Sequence, residues 1–409
     1  MAGEALAADL PVMPTKAVAK SADKTWTWTF NDEVRYFTWS GTRGFPTDVA
    51  PLSGNGHGTQ VYNPFARQLS GNPNSNWKID ATLRGGFVWA SQTTSGNRGS
   101  VSTPVDTQLA GTATFLGFNG VQPFAALNFN LPTGSSALYG NSRFARMDPD
   151  LVDLQTYGEG LNVGPTFGVN IPITPELIVT LSAGYTERGT FDKEAADPIT
   201  GDITATDHIK NGNEATVTGA VGYTHGALAI QGSVSQAWDS SSSVDGLVQY
   251  RVGPRTTFSG YIGYAWSDQW SSSINGYWVH TGKNDVLGAA PGLLVPEMFN
   301  SNTDIVRINV DSTYKMANGL AIGPVASFLD RSHNSWDATA FAFVPAKTRW
   351  SIGGIAAYPV QSNLKINARV EHIWTHEDVH PDAIGFPGSG LPDMSGQSWL
   401  VLGGLTLTY

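Results

Sequence analysis

The sequence predicts an all-β chain folded as a closed antiparallel transmembrane β-barrel of about sixteen strands. Three observations carry that expectation. Segment after segment alternates apolar and polar side chains with a period of two, as a strand with two unlike faces requires. The connections between these segments are short at one set of ends and long at the other, the asymmetry of a membrane barrel. No apolar run approaches the ~18 residues a membrane-crossing helix needs, and the longest candidate, near Ala289 to Val295, is broken by Pro291.

Composition narrows the alternatives. A chain of 409 residues fits several soluble domains or one large barrel, but 46 glycines, 11% aromatic and only 14% charged residues suit short strands over helices. Cysteine is absent, which rules out disulfide staples and thiolate catalysis and leaves a closed ladder of backbone hydrogen bonds to hold the wall. A net charge of -10 argues against nucleic acid as a partner, because phosphate binding needs basic surface. Ala5-Leu6-Ala7 ahead of Ala8-Asp9-Leu10-Pro11 is similar to the cleavage site of a secretory signal. Residues 1–7 are therefore read as a signal remnant, 8–24 as a flexible periplasmic leader and 25–409 as one barrel domain.

Taken in order, residues 25–40 form the first strand, with Trp26, Trp28, Phe30, Val34 and Tyr36 in one register. Residues 59–69 alternate poorly; counting them gives sixteen strands and omitting them gives fourteen, and sixteen is preferred because 72–76, Asn-Pro-Asn-Ser-Asn, then makes a short turn. Residues 77–89 are clear, with tryptophan at both ends of the apolar face, as expected where a strand meets two membrane interfaces. Pairs follow at 107–118 with 121–131, 160–172 with 175–187, 213–224 with 226–238, 243–252 with 256–267, 303–315 with 318–330, and 348–359 with 362–375. Their expected turns include Asn119-Gly120, Gly253-Pro254 and Asn318-Gly319. The last strand, 396–409, again alternates and ends on Tyr409. In that it resembles the closing strand of Gram-negative outer-membrane barrels, which implies a Gram-negative outer membrane, with lipid and lipopolysaccharide around the wall and the barrel-assembly machinery reading the C-terminal strand.

Alternation also assigns faces. Ile79, Ile308 and Ile366 with their period-two neighbours should face hydrocarbon, and the charged positions between them should face in. A soluble sandwich would invert this, burying the apolar face. The inward candidates for a pore lining are Lys78, Asp80, Arg84, Asp245, Arg251, Arg307, Asp311, Arg349, Lys365, Arg369 and Glu371, joined by Glu214.

Leu131-Pro132-Thr133-Gly134, then Met147-Asp148-Pro149-Asp150, then the strand from Gly158 to Ile173 together resemble the transporter-like phenol-degradation meta-pathway barrel family. The resemblance is strongest over 120–190 and implies a membrane barrel that passes small solutes; it carries over no functional residue.

Three features look like chemistry. His376-Glu377-Asp378-Val379-His380 matches the zinc-protease pattern HExxH, which works only on a helix. Here it follows a strand and Pro381 comes next, so a solvated loop is expected. Asp148, Asp150 and Asp153 cluster behind Arg143 and Arg146, and internal pairing with those arginines is expected over a cation site. Asp192, Glu194, Asp197, Asp202 and Asp207 read as a solvated acidic loop. No Gly-x-Ser-x-Gly elbow is present, so an outer-membrane hydrolase, like a structural or adhesive barrel, ranks below a passive channel for small solutes. No cofactor is expected. The run from Val286 to Phe299 is unusually apolar for a loop and should contact something rather than extend into solvent.

Overall fold

The computed structural model of the chain describes residues 26–45, 52–94, 96–118, 120–148, 150, 152, 154, 156–195, 205–290, 292–386 and 390–409. The expected signal remnant and leader lie outside them, as do Asn119 and Asp153. The strands are β1 Trp26–Phe45, β2 Leu52–Asn74, β3 Trp77–Thr94, β4 in two segments (Asn97–Pro104 and Thr107–Phe115), β5 Gln122–Leu131 and β6 Asn162–Pro172. They continue with β7 Leu177–Arg188, β8 Glu214–His225, β9 Leu228–Asp239, β10 Arg255–Ala265 and β11 Trp270–Thr281. The last five are β12 Ile305–Lys315, β13 Ala321–Arg331, β14 Lys347–Gln361, β15 Leu364–Glu377 and β16 Met394–Thr408. Each pairs antiparallel with its predecessor, and β1 pairs with β16 from Thr29↔Thr408 to Gly41↔Gly396, so the barrel closes at sixteen strands. Closure removes the edges of the barrel sheet, which lets a chain without cysteine satisfy its backbone inside a bilayer.

The alternation read from sequence is carried around the ring by register. Ile308, Phe328, Trp350 and Trp374 stand in one cross-strand row, while the intervening residues Asn309, Ser327, Ser351 and Ile373 form the row on the other face. The first face is exposed and carries the large apolar side chains, Ile308 and Ile366 among them, with Ile79 half-buried on it. The second face is covered in places by a loop within the barrel, and that loop supplies the apolar core: Leu138, Ala145, Met147, Val152 and Tyr157 pack on Phe37, Trp39, Val88, Ala90, Val101 and Ile373.

The expected total of sixteen holds, but one member differs. Residues 243–252 are not a wall strand: they fold as Ser242–Val244 and Leu247–Arg251 around Asp245-Gly246. Both turn residues have positive φ, 51° and 79°, the conformation an Asp-Gly hairpin turn demands. The missing stave is Trp270–Thr281. Its outward face holds Ser272 and Gly276 between Trp270, Ile274 and Trp278, which weakens its apolar signal. The turn at Gly253-Pro254 therefore lies on the side of the long connections, not the short ones. Hairpins from three of those connections assemble a second, six-stranded sheet from Thr190–Ala195, Ala205–Lys210, Ser242–Val244, Leu247–Arg251, Asp285–Leu287 and Leu294–Pro296. The apolar 283–300 segment supplies its last hairpin through Val286↔Val295, leaving Leu287, Leu293 and Met298 exposed.

Candidate functional site

The candidate site is the bore and the loop packed inside it, residues 132–161 between β5 and β6. Its stem is clasped at a bulge in β4. Pro104 pairs with Phe87 and Gln108 with Arg84, so three residues of β4 face two of β3. That extra residue frees Asp106, which accepts the backbone N–H of Gly134 (2.9 Å) and Glu159 (2.8 Å) and the side-chain amide of Asn130 (2.6 Å). The Asp106 N–H donates to the Tyr157 carbonyl at 3.0 Å. Gly134 admits no side chain here, because an added Cβ would lie 1.8 Å from the Tyr157 carbonyl oxygen.

From the stem the loop passes through a 3-10 turn, Gly140–Ala145, and lays Met147 and Tyr157, each 1% exposed, against the inner wall. Gln60 donates to the Leu154 carbonyl (2.9 Å) and Gln92 to the Arg146 carbonyl (2.8 Å). At its far end, Asp150 accepts from Arg331 at 3.0 Å and Lys347 at 3.1 Å, Asp148 pairs with Lys347, and Arg349 donates to the Asp150 carbonyl at 3.1 Å. Glu377 completes the cluster on Arg331 (3.2 Å) and Lys347 (3.1 Å). β6 and β14 stand eight staves apart in a ring of sixteen, so the loop, rooted at β5 and β6 and fastened to β13 and β14, spans half the ring along the inner wall of β4 to β1 and β15.

Internal pairing of the Asp148 and Asp150 carboxylates is thus real, with Lys347 and Arg331 from the wall as partners, while Asp153 lies outside the described residues. Arg146 pairs with Glu194 (2.9 Å), whose other oxygen accepts the Leu138 N–H (2.8 Å), and Arg143 lies 4.5 Å over the Phe144 ring. Glu194 is therefore a second anchor for the loop, not a solvated acid of its segment. Asp192 pairs with His208 at 2.6 Å, and Asp197 and Asp202 lie outside the described residues. The His376–His380 run is extended: His376 sits in β15, His380 bridges to Leu391, and Glu377 is committed to Lys347 and Arg331. Among the described residues no three metal-ligating side chains converge.

Burial pushes the Asp150 carboxyl up, but Lys347, Arg331 and Arg349 outweigh it and hold the group below the usual carboxylate range. Burial raises Glu159 at the stem; Arg188 opposes this and Asp106 adds to it. The signs differ. A depressed Asp150 contributes stability that is present above its unfolded value and lost as pH falls through the folded one. Glu159, whose folded value is raised, contributes stability on its acid side that is lost as pH rises through the folded value. The loop is expected to be most protected at mildly acidic pH, between the two folded values. Limited proteolysis or hydrogen exchange across 134–159 against pH checks this, and a flat profile contradicts it.

The other sequence-named charges fall as follows. Lys78, Asp80, Arg84, Arg307, Asp311, Arg349, Lys365, Arg369 and Glu371 share the face on which the loop packs, by cross-strand register. Lys78 pairs with Asp80 (2.8 Å), Ser273 donates to Asp311 (2.5 Å), and Arg369 pairs with a fully buried Glu371. Glu214 bridges Arg188 (2.9 Å) and Arg255 (2.5 Å). Arg307 and Lys365 have no ion-pair partner among the described residues. Asp245 and Arg251 are corrections: both lie in the small sheet outside the barrel wall, Asp245 accepting the His208 N–H (3.1 Å) and Arg251 pairing with Asp285. The inner faces of β6 to β11 instead offer hydroxyls and amides in cross-strand bonds: Asn170 with Thr180 (2.8 Å), Thr218 with Ser235 (3.1 Å) and Ser233 with Ser259 (2.6 Å). Sequence reasoning missed Arg331 and Lys347 because they stand at strand ends, where alternation no longer marks a face.

No family model matches the chain, and no curated protein matches it. Among solved structures it is similar to OpdQ of Pseudomonas aeruginosa, at 11% identity over 94% of this chain and 98% of that one, with a TM-score of 0.43. It is likewise similar to an outer membrane channel of Pseudomonas putida, at 13% identity over 66% of this chain and 92% of that one, TM-score 0.40. OmpT, an outer membrane protein of Vibrio cholerae, aligns at 13% identity over 94% of this chain and all of its own, TM-score 0.38. Identities this low speak to fold alone, and the closed barrel stands on its own register.

Proposed function

We propose that the chain is a channel of the Gram-negative outer membrane through which small solutes diffuse passively, with a preference for anions. The observation that carries the reading is the pairing of a closed sixteen-strand wall, apolar outside, with a polar inner face on which two cations, Arg307 and Lys365, lack ion-pair partners among the described residues against one such carboxylate, Asp311. A ring of sixteen strands encloses an aqueous lumen instead of a packed core. The loop inside the barrel narrows that lumen from the side of the long connections, where Arg307 shares a cross-strand row with the loop's anchor Arg349, and Lys365 stands near the short turns, so a solute is sorted by size at the loop and by charge at both levels. Lipid, lipopolysaccharide and the assembly machinery are the remaining partners, and no chemical step is assigned to the barrel.

Reconstitution in planar bilayers tests this. The wild-type protein is expected to give steady conductance with a reversal potential on the anion side. A unit charge roughly 8 Å from the ion path in water-like dielectric contributes about 0.5 kcal/mol, of opposite sign for an anion and a cation, so about 1 kcal/mol and roughly a factor of five in permeability ratio. Arg307→Ala and Lys365→Ala should each lower anion preference by that factor. A bilayer that stays sealed at high protein load would sink the channel reading; conductance indifferent to both substitutions would sink the assigned charges.

A further inference from the structure

An ion pair sits on the wrong side of the wall. In β1 and β2 the outward positions are Trp28, Phe30, Asp32, Val34 and Tyr36 and, across from them, Leu69, Arg67, Phe65 and Asn63. Arg67 Nη2 meets Asp32 Oδ1 at 2.8 Å, with the guanidinium 5.4 Å over both Phe30 and Phe65. Its other terminal nitrogen donates to the carbonyls of Asn31 (3.0 Å) and Ala66 (3.1 Å). The donors are nearly used up. The carboxylate is not: the Asp32 side chain remains 43% exposed, that of Arg67 30%, and Asn63 stands exposed two positions beyond Phe65 on the same face.

Depth makes this anomalous. Arg67 is registered with Leu83, six residues from Trp77 and six from Trp89, the two exposed tryptophans that end the outward face of β3. At roughly 3.3 Å per residue and a strand tilt near 40°, Arg67 lies about 15 Å from either aromatic girdle, at the middle of the apolar band. Charge on a lipid-facing surface is least tolerated at that depth, and lipid headgroups do not reach it. The equivalent outward positions elsewhere are Val234, Phe258, Ile274 and Val310, all exposed and apolar.

We infer that the β1–β2 wall is the contact surface for a second copy of this chain. The patch presents an acid, a base and an amide together, so it is complementary in charge to itself: against another copy, Asp32 can accept from the neighbour's Asn63 or Arg67, and the lipid-exposed carboxylate is satisfied. A partner of a single charge sign would leave one of the two ions opposed. The inference rests on the membrane reading of the barrel, and the test separates the two.

The chain has no cysteine, so one introduced thiol reports alone. Asn63→Cys and, as a control on the opposite wall, Val234→Cys are each labelled with a fluorophore in vesicles containing acyl-chain nitroxide lipids, and each is treated separately with a short bis-maleimide. The expected result is strong quenching of the label in the Val234→Cys variant, weak quenching in the Asn63→Cys variant, and a cross-linked species of twice the chain mass from Asn63→Cys only. Asp32→Leu combined with Arg67→Leu should abolish that cross-link while the barrel keeps its resistance to detergent unfolding. Equal quenching in the two labelled variants, or a shielded label in Asn63→Cys without self-cross-linking, overturns the inference. Absence of quenching in Val234→Cys instead overturns the membrane reading.

Discussion

Asp150→Ala is expected to release the far end of the loop packed inside the barrel, residues 132–161, while leaving the barrel closed. The substitution removes the carboxylate shared by Arg331 and Lys347, both largely buried, and leaves these two cations with Asp148 and Glu377 as the acids paired to them among the described residues. Breaking a buried pair from one side costs about 3–5 kcal/mol, because the stranded charge keeps its desolvation penalty. The stem does not share that loss, since Asp106 and the Gly134 clasp are on the other side of the bore. The loop should therefore swing from its root: protease sites between Ser136 and Leu154 become accessible, and single-channel current becomes larger and noisier. Replacing the whole cluster with apolar residues of similar volume is the informative control, since it is expected to recover much of the protection by removing ions in balance. Unchanged protection in Asp150→Ala would show that the apolar contacts of Met147 and Tyr157 hold the loop without the ion cluster.

The wall was legible because a barrel strand is a local object. β3, β12, β15 and β16 each show their two faces within about a dozen residues, so alternation alone places them. Where it failed, it failed for local reasons. Trp270–Thr281 spends outward positions on Ser272 and Gly276, and an Asp-Gly turn at 245–246 splits a segment that otherwise alternates well. The loop was legible only as an interruption. Its anchors join Asp148 to Lys347 and Asp150 to Arg331 across nearly two hundred residues, and nothing in the neighbourhood of either partner announces the other. The acidic cluster invited pairing with its nearest arginines, yet Arg146 serves Glu194, and Asp148 and Asp150 serve the opposite wall. Parity groups the wall charges on one face of the sheet, but it does not say which are neutralised, and that distinction separates Arg307 and Lys365 from Glu371.

Val310→Arg and Asn309→Arg, adjacent in β12, are expected to differ in stability by about 2–4 kcal/mol, the cost of arginine at the bilayer midplane on the lipid face of a barrel. Val310 is exposed and pairs with Ile274 and Ala326 on the outward face, midway between the Val306–Trp278 pair and Tyr314 near the end of the strand. No aromatic rings flank it in the manner of Phe30 and Phe65 around Arg67, and no carboxylate is registered beside it. An arginine there must either reach about 10 Å to a girdle or draw water into the bilayer. Asn309, one position away, points to the bore and bonds to Asn275 at 3.0 Å, so its replacement by arginine loses one neutral hydrogen bond and places the new charge in water. The same substitution adds a third uncompensated cation near Arg307 and should raise anion preference. Refolding into lipid vesicles at graded urea concentrations measures the stability difference, and bilayer reversal potentials measure the selectivity. If both variants refold with equal stability, the outward face of β12 does not contact hydrocarbon. A cost confined to Asn309→Arg would invert the barrel's faces.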